Sequence, residues 1–574
     1  MRTPVPCREA RSAPKAAMNL TRTRFFTPFC AHALRALLLV LVAIAYAGCT
    51  PSRHVERMEA NVQDVLRRTQ KQLRPGQPVE EIRTGRYNRA VPGEYEETVT
   101  MDLQNALELA ARHSRDYQTL KEQLYRDALT LWVTAHGYEW NVTNSLSGVL
   151  SRDIRADSTL LAADADAGLT RDLAAGGRIG VSLAVGALRI LTGDTDTSLD
   201  SLVSLTLRQP LLSGSGRLVG REPLTQAERN LVYSLRRFVR QRKQLVIRVS
   251  ESYYNVLSAN DAVAVAQRNY ENLRASRERS EDMAEAGRVP RFQVDQARQN
   301  ELTARSTLIT RKQNFQAQKD ALKQVLGLPL TVSIAVDEKE LTRLAEAPLP
   351  QPEQEIDAAI AEALANRLDF ATTVDRLGDA CGAVAIAWDD LRARLDLTLT
   401  ATADRPPSPR LRFVEFDEGF YSAGLDGDLP IDKTAETADY RRAQINRDQQ
   451  QREVDRQRDA IIASIRDDWR NLEAARENFA IQKLSVELAQ SRVDSTEMLF
   501  QAGRVNMRDV LEARDSLTNA ENALTRALIT HRLAWLTLLF HLERLPAEPE
   551  TLWSPALTVS QAARGNVSSP GELP

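Results

Sequence analysis

Aromatic residues are scarce in this chain, 5% of the total, while charged residues make up 26%. A thick globular core draws heavily on large apolar side chains, so this balance points instead to long solvated helices. No charge sign dominates: 75 Lys and Arg stand against 77 Asp and Glu, without the basic surplus of a dedicated nucleic-acid binder. The six histidines are scattered and form no HExxH pair, and packing is the role expected of His531 and His541. The four cysteines, Cys7, Cys30, Cys49 and Cys381, show no metal-ligand spacing. No nucleophile elbow occurs. Gly214, Gly216 and Gly220 follow a candidate strand as in a dinucleotide fingerprint. However, the third glycine comes one place late and no βαβ unit follows. No catalytic constellation, metal site or cofactor is expected, so the chain does not read as an enzyme.

Apolar runs long enough to span a bilayer as a helix are also missing. The longest, Ala36 to Ala45, has the length of a signal-peptide core and follows Arg22, Arg24 and Arg35. Tyr46-Ala47-Gly48-Cys49 comes directly after it. Small residues before a cysteine resemble a bacterial lipobox, in which that cysteine is acylated and becomes the first mature residue. Tyr46 stands where lipoproteins usually carry Leu, and an ordinary cleaved signal is the alternative. Residues 1–48 are therefore expected to be a signal peptide, with Met18 a possible true start, and 49–98 a linker after lipidated Cys49. Thr50 rather than Asp follows that cysteine, which implies sorting to the outer membrane.

Helix breakers are missing where it matters most. The chain has 25 Gly and 24 Pro, yet none falls in Leu224–Ala286, Arg291–Leu326, Ile431–Ala502 or Arg504–Leu545. Continuous helix explains these gaps. A helix from Leu224 to Ala286 would reach roughly 95 Å. Apolar residues within them are sparse and helically spaced, as with Val510, Leu511, Leu517, Leu524 and Leu528. That narrow seam suits packing against another helix, and Ala513, Ala520, Ala523 and Ala527 allow close approach. Each pair of long helices is joined through one glycine-containing break, Gly287-Arg288-Val289 or Gly503-Arg504-Val505, which makes two helical hairpins.

The breaks belong to a duplication. Ala286-Gly287-Arg288-Val289, Val294, Ala297-Arg298 and Ala304 recur as Ala502-Gly503-Arg504-Val505, Val510, Ala513-Arg514 and Ala520. Ala106-Leu107, Ala110 and Asp116-Tyr117 correspond to Ala359-Ile360, Ala363 and Asp369-Phe370. So long a period marks a gene duplication rather than a solenoid. The halves are placed at 99–330 and 355–546, with a linker at 331–354 and a tail at 547–574. Each should run helix, strands, long helix, turn, helix.

Apolar and polar residues alternate over Leu395–Ala403 and again over Tyr421–Ile431, with Arg405-Pro406-Pro407-Ser408 expected as the loop between two strands. In the first half Trp140–Leu150 and Leu202–Leu212 are candidate strands, while Ile179–Ala187 fits a third strand or an ordered loop. Two strands per half give four per chain. About ten alternating residues suit a membrane barrel strand with lipid on one side and water on the other. Four strands cannot close, and an open sheet in lipid leaves backbone groups unpaired, so several chains must share one barrel. The pattern alone does not give their number.

FQAGRVNMRDVLEARDSL (Phe500–Leu517), EAGRVPRFQVDQA (Glu285–Ala297), ALANRLDF (Ala363–Phe370) and LRQPLLSGSGR (Leu207–Arg217), in this order and duplication, resemble the TolC-like outer-membrane efflux proteins. The resemblance implies a mainly α fold with membrane β: a homotrimer with a shared barrel of twelve strands, continuous with a periplasmic tunnel of twelve helices. It implies an outer-membrane channel subunit of a tripartite efflux or type I secretion system. Its partners would be a periplasmic adaptor, an inner-membrane pump of RND, ABC or MFS class, and outer-membrane lipid. Gly287, Arg288, Val289, Gly503, Arg504 and Val505 would form the tips that meet the adaptor. Asp509 and Glu512 would ring the tunnel's closed end with carboxylates, with Arg504 and Arg508 as nearby basic candidates. The first repeat carries Gln293 and Gln296 at those places, so any ring comes from the second. The competing expectation is a pore-less helical periplasmic scaffold or adaptor-like lipoprotein, and the Leu395–Ala403 and Tyr421–Ile431 strands discriminate the two.

Overall fold

A computed structural model describes residues 51–73, 82, 98–153, 158–191, 197–337, 339–408, 419–429 and 431–547. The expected signal segment, Cys49 and the tail beyond 547 lie outside these residues. The chain divides into two units, Met1–Asn61 and Val62–Pro574. The described part of the first is the start of helix α1 (Pro51–Leu73). The second continues with β1 (Thr98–Met101), α2 (Leu103–His113), α3 (Arg115–His136), β2 (Asn141–Asp153), β3 (Ser158–Asp172), β4 (Arg178–Ile190) and β5 (Thr197–Pro210). Next come a single turn α4 (Arg217–Gly220), α5 (Glu222–Glu285), α6 (Arg291–Leu326), β6 (Ser333–Val336), α7 (Lys339–Glu346), α8 (Ile356–Asn366) and α9 (Leu368–Asp389). The last elements are β7 (Arg394–Ser408), β8 (Phe420–Asp428), α10 (Thr434–Gln501) and α11 (Met507–His541).

The four stretches without Gly or Pro are the four long helices. The first, α5, has 64 residues and α10 has 68, so each is roughly 100 Å long. Helix α6 keeps the bounds of its gap, Arg291 to Leu326. α3, α6, α9 and α11 pack alongside α5, and α9 and α11 also pack on α10. Four helical columns therefore lie side by side. The duplication is visible in the packing. Ala106, Leu107 and Ala110 of α2 and Ala359 and Ala363 of α8 are fully buried, and Tyr117 and Phe370 are buried one helix later. Ser114 starts α3 as an N-cap, accepting a hydrogen bond from the Tyr117 amide. In the second copy Arg367 holds the same corner, and it bonds the Asp369 carboxylate instead.

The sheet corrects the expected strand count. Six antiparallel strands pair in the order β2-β3-β4-β5-β7-β8, four of them from the first half. Ile179–Ala187 lies in β4, so of its two readings the strand holds, and β3 went unread. Arg405-Pro406-Pro407-Ser408, expected as a loop, ends β7. The register slips there, with Ser201 opposite Arg405 and Leu199 opposite Ser408. A bulge leaves residues outside the ladder, and proline, which has no N–H to donate, is tolerated at such a place.

The register decides which residues share a face. Leu146 stands opposite Ala165, Ala165 opposite Val185, and Leu183 opposite Val203. Leu205 then meets Ala401 and Leu399 meets Ala423. Every strand thus sends its apolar side to one face. The other face carries Ser145, Asp166, Ser182, Ser204 and Thr400, with Ser145 bonding Asp166 at 3.0 Å and Ser182 bonding Ser204 at 2.7 Å.

Among the contacts that tie the chain together across the repeats are one strand pairing and two clusters of ion pairs. β1 pairs in parallel with β6. Asp396 of β7, nearly buried, accepts bonds from Arg208 of β5 at 2.6 Å and from Arg394 at 3.0 Å. Glu543, just past α11, accepts from Arg240 and Lys243 of α5, each at 2.6 Å.

Candidate functional site

Two regions are notable for their exposure: the helix tips and the apolar face of the sheet. At each tip the helix ends with the same pair of backbone bonds. Gly287 N–H donates to Ala284 O at 3.0 Å and Arg288 N–H to Met283 O at 2.8 Å. In the second hairpin Gly503 donates to Phe500 O and Arg504 to Leu499 O, both at 2.9 Å. This is the Schellman arrangement, which needs a left-handed residue at its centre. Gly287 and Gly503 supply it, at φ 74° and 70°. The cap is also the turn, and it leaves Gly287, Arg288, Gly503 and Arg504 exposed and Val289 and Val505 half-buried. Leu273, Ala304, Phe500, Met507, Val510 and Leu511 form a small core behind the tips, which packs one hairpin on the other.

The two expected acids have separate duties. Asn506 and Asp509 form a capping box at the start of α11: the Asp509 carboxylate accepts the Asn506 N–H at 3.0 Å. The first hairpin has Pro290 at the corresponding N-cap, which has no side-chain acceptor. Glu512 pairs with Arg492 of α10 at 2.8 Å, both side chains more than half exposed. Sequence reasoning missed Arg492, and also Arg514, which pairs with Glu497 across the same hairpin. Their partners lie one hairpin turn away, and only the register of two long helices brings them together. Arg504 and Arg508 are exposed.

Among the described residues nothing covers the sheet's apolar face. Leu146 is 60% exposed and Leu425 67%. Val142, Leu161, Leu169, Val181, Leu183 and Leu205 are exposed on the same side. Trp140, just before β2, and Trp388, at the end of α9, are exposed where helices meet sheet. The glycines that imitate a dinucleotide fingerprint serve packing here. A Cβ on Gly220 would stand 2.2 Å from Gly176 N, and one on Gly176 would stand 2.2 Å from Gly214 O. The turn between β3 and β4 is thereby seated against the strand-to-helix junction, and Gly216 N–H donates to Ala175 O at 3.1 Å.

His531 is fully buried and His541 bonds Asp468. Among the described residues no group of acids, histidines and cysteines is placed to hold a metal. No described helix is long and apolar enough to cross a membrane.

A family model described as outer membrane efflux protein matches residues 155–328 and 359–542. The chain belongs to the outer membrane efflux protein family. Its members are transport proteins of the outer membrane, not enzymes. Outer membrane protein TolC of Escherichia coli K12 is 23% identical over 305 residues, 51% of this chain and 60% of that protein. The chain thus aligns with less than two thirds of that relative. Alkaline protease secretion protein AprF of Pseudomonas aeruginosa is 24% identical over 351 residues, 60% of this chain and 70% of that protein. The crystal structure of the Campylobacter jejuni CmeC outer membrane channel superposes with a TM-score of 0.57 at 14% identity, covering 82% of this chain and 94% of that one. At that identity the likeness is one of fold.

Proposed function

We propose that this chain is the channel subunit through which a tripartite efflux or type I secretion system crosses the outer membrane, acting as a passive conduit. One observation carries the reading. All six strands turn their apolar side to the same open face, and the polar side opposite is lined by hydroxyls and carboxylates. Such a sheet fits a barrel wall between lipid and water. Its free edges, β2 and β8, need partners in lipid, and further copies of the chain supply them, three in the family resemblance. The family description speaks for efflux and AprF's name for secretion of a protease, while CmeC is an outer membrane channel.

In this reading residues 1–48 are the signal peptide, Cys49 carries the lipid anchor, and residues 99–330 and 355–546 are the two repeats. The tips at Gly287–Val289 and Gly503–Val505 meet a periplasmic adaptor, which links the channel to an inner-membrane pump. Asp509 and Glu512 supply carboxylates around the periplasmic mouth and favour cations there.

The test is single-channel conductance of the purified protein in a planar bilayer, with oligomer mass measured in parallel. Trimers with cation-biased openings, and loss of the bias in Asp509→Ala/Glu512→Ala, are expected. A monomer that extracts without detergent and never conducts would leave a periplasmic scaffold as the account.

A further inference from the structure

We infer that the assembled channel has an eighteen-stranded outer-membrane barrel with an open, water-filled bore, because the β3–β4 hairpin is part of its wall. This rests on the trimeric channel reading: the six strands of this sheet among the described residues of each chain, in three copies. The strand number is even, so β2 leaves the helices and β8 returns to them. β8 of one copy can therefore pair antiparallel with β2 of the next, and three identical junctions close the ring.

Three observations place the hairpin in the wall rather than beside it. It pairs along its full length on both sides, with Asp153 to Asn141 facing Ser158 to Thr170 and Arg178 to Arg189 facing Arg208 to Thr197. Its apolar side, Ala165, Ala167, Leu183 and Val185, continues the apolar face of the neighbouring strands. Its turn is also locked to the base of the wall by glycine contacts that no Cβ could enter.

Widths agree with this placement. A strand spaced about 4.8 Å from its neighbour and tilted about 40° takes roughly 6 Å of circumference, so six take about 38 Å. Four helices side by side, 8–10 Å apart, take about 32–40 Å. The six-stranded sheet and the four helical columns of one chain thus span the same arc, and the tunnel enters the membrane without narrowing. Barrels of about eighteen strands leave an aqueous channel.

Single-cysteine variants in a Cys381→Ser background test this in lipid nanodiscs. Ala165→Cys and Val185→Cys probe the apolar side of the hairpin, and Asp166→Cys and Ser182→Cys its polar side. The first pair is expected to lose labelling by a water-soluble maleimide and to be quenched, after labelling with a small fluorophore in detergent, by brominated lipid. The second pair is expected to label in water and escape quenching. A conducting trimer in which all four label in water would put the hairpin outside the wall and overturn the inference, leaving the channel reading intact. A protein that neither trimerises nor conducts would remove the reading beneath it.

Discussion

Gly287 and Gly503 are the residues at which sequence and geometry agree most closely. Their left-handed φ has a residue-type signature, so the turns were legible without any tertiary information. Alanine there is expected to cost about 1 kcal/mol locally. Hydrogen exchange should show it as faster exchange of the amides at positions 503 and 504, which make the cap bonds, in Gly503→Ala, with the centre of α10 unchanged. Glu543 is the opposite case. It takes a positive φ of 60° with no glycine to announce it, and its reason is Lys243, 300 positions away. Removing one partner of a buried ion pair leaves the other uncompensated, at about 3–5 kcal/mol. Lys243→Met leaves Glu543 still paired with Arg240, whereas Glu543→Gln takes the carboxylate from both cations, so Glu543→Gln should lower the denaturant midpoint more than Lys243→Met. His531 belongs with these hidden residues. Burial first, then the charges of Arg532 and Arg476, push its imidazole down from the usual 6.5 to about 4. The unfolded chain binds this proton more readily, so the contribution is complete above about pH 6.5 and is lost as pH falls toward 4. Unfolding measured from pH 7 to pH 4 should show a smaller acid loss in His531→Leu than in the parent.

Strands were less legible than helices, for reasons that lie in particular residues. β3 runs Ala-Asp-Ala-Asp-Ala through its centre. Its period is that of a strand, but alanine is small and weak as a strand former, so the apolar side barely registers. Pairing supplies what propensity withholds, because Leu146 on one flank and Val185 on the other complete the face around Ala165. Pro406 and Pro407 misled in the other direction, since a bulge accommodates what an unbroken ladder rejects. Opposite neighbours in β4 give the test at this scale. Leu183→Arg puts a charge on the lipid side and is expected to cost about 2–4 kcal/mol near the bilayer midplane. Ser182→Arg puts the same charge on the water side and should be tolerated. Trimer yield after detergent extraction, compared between the two, reads the difference.

At the scale of the molecule, the duplication, the four long helices, their turns and the family were all carried by the chain itself. Gly and Pro spacing, helical seams and repeated motifs act over short distances, and short-range physics leaves its mark in local sequence. The same holds for the absence of catalytic motifs. Tertiary structure alone decided the number of strands, the shared apolar face, the Arg492–Glu512 and Arg514–Glu497 pairs across a hairpin, and the Lys243–Glu543 tie between the halves. Each of these is a matter of register. Sliding one strand by a single residue would turn its apolar side to the water, and a helix of roughly 100 Å sets which charges meet only once its neighbour is in place.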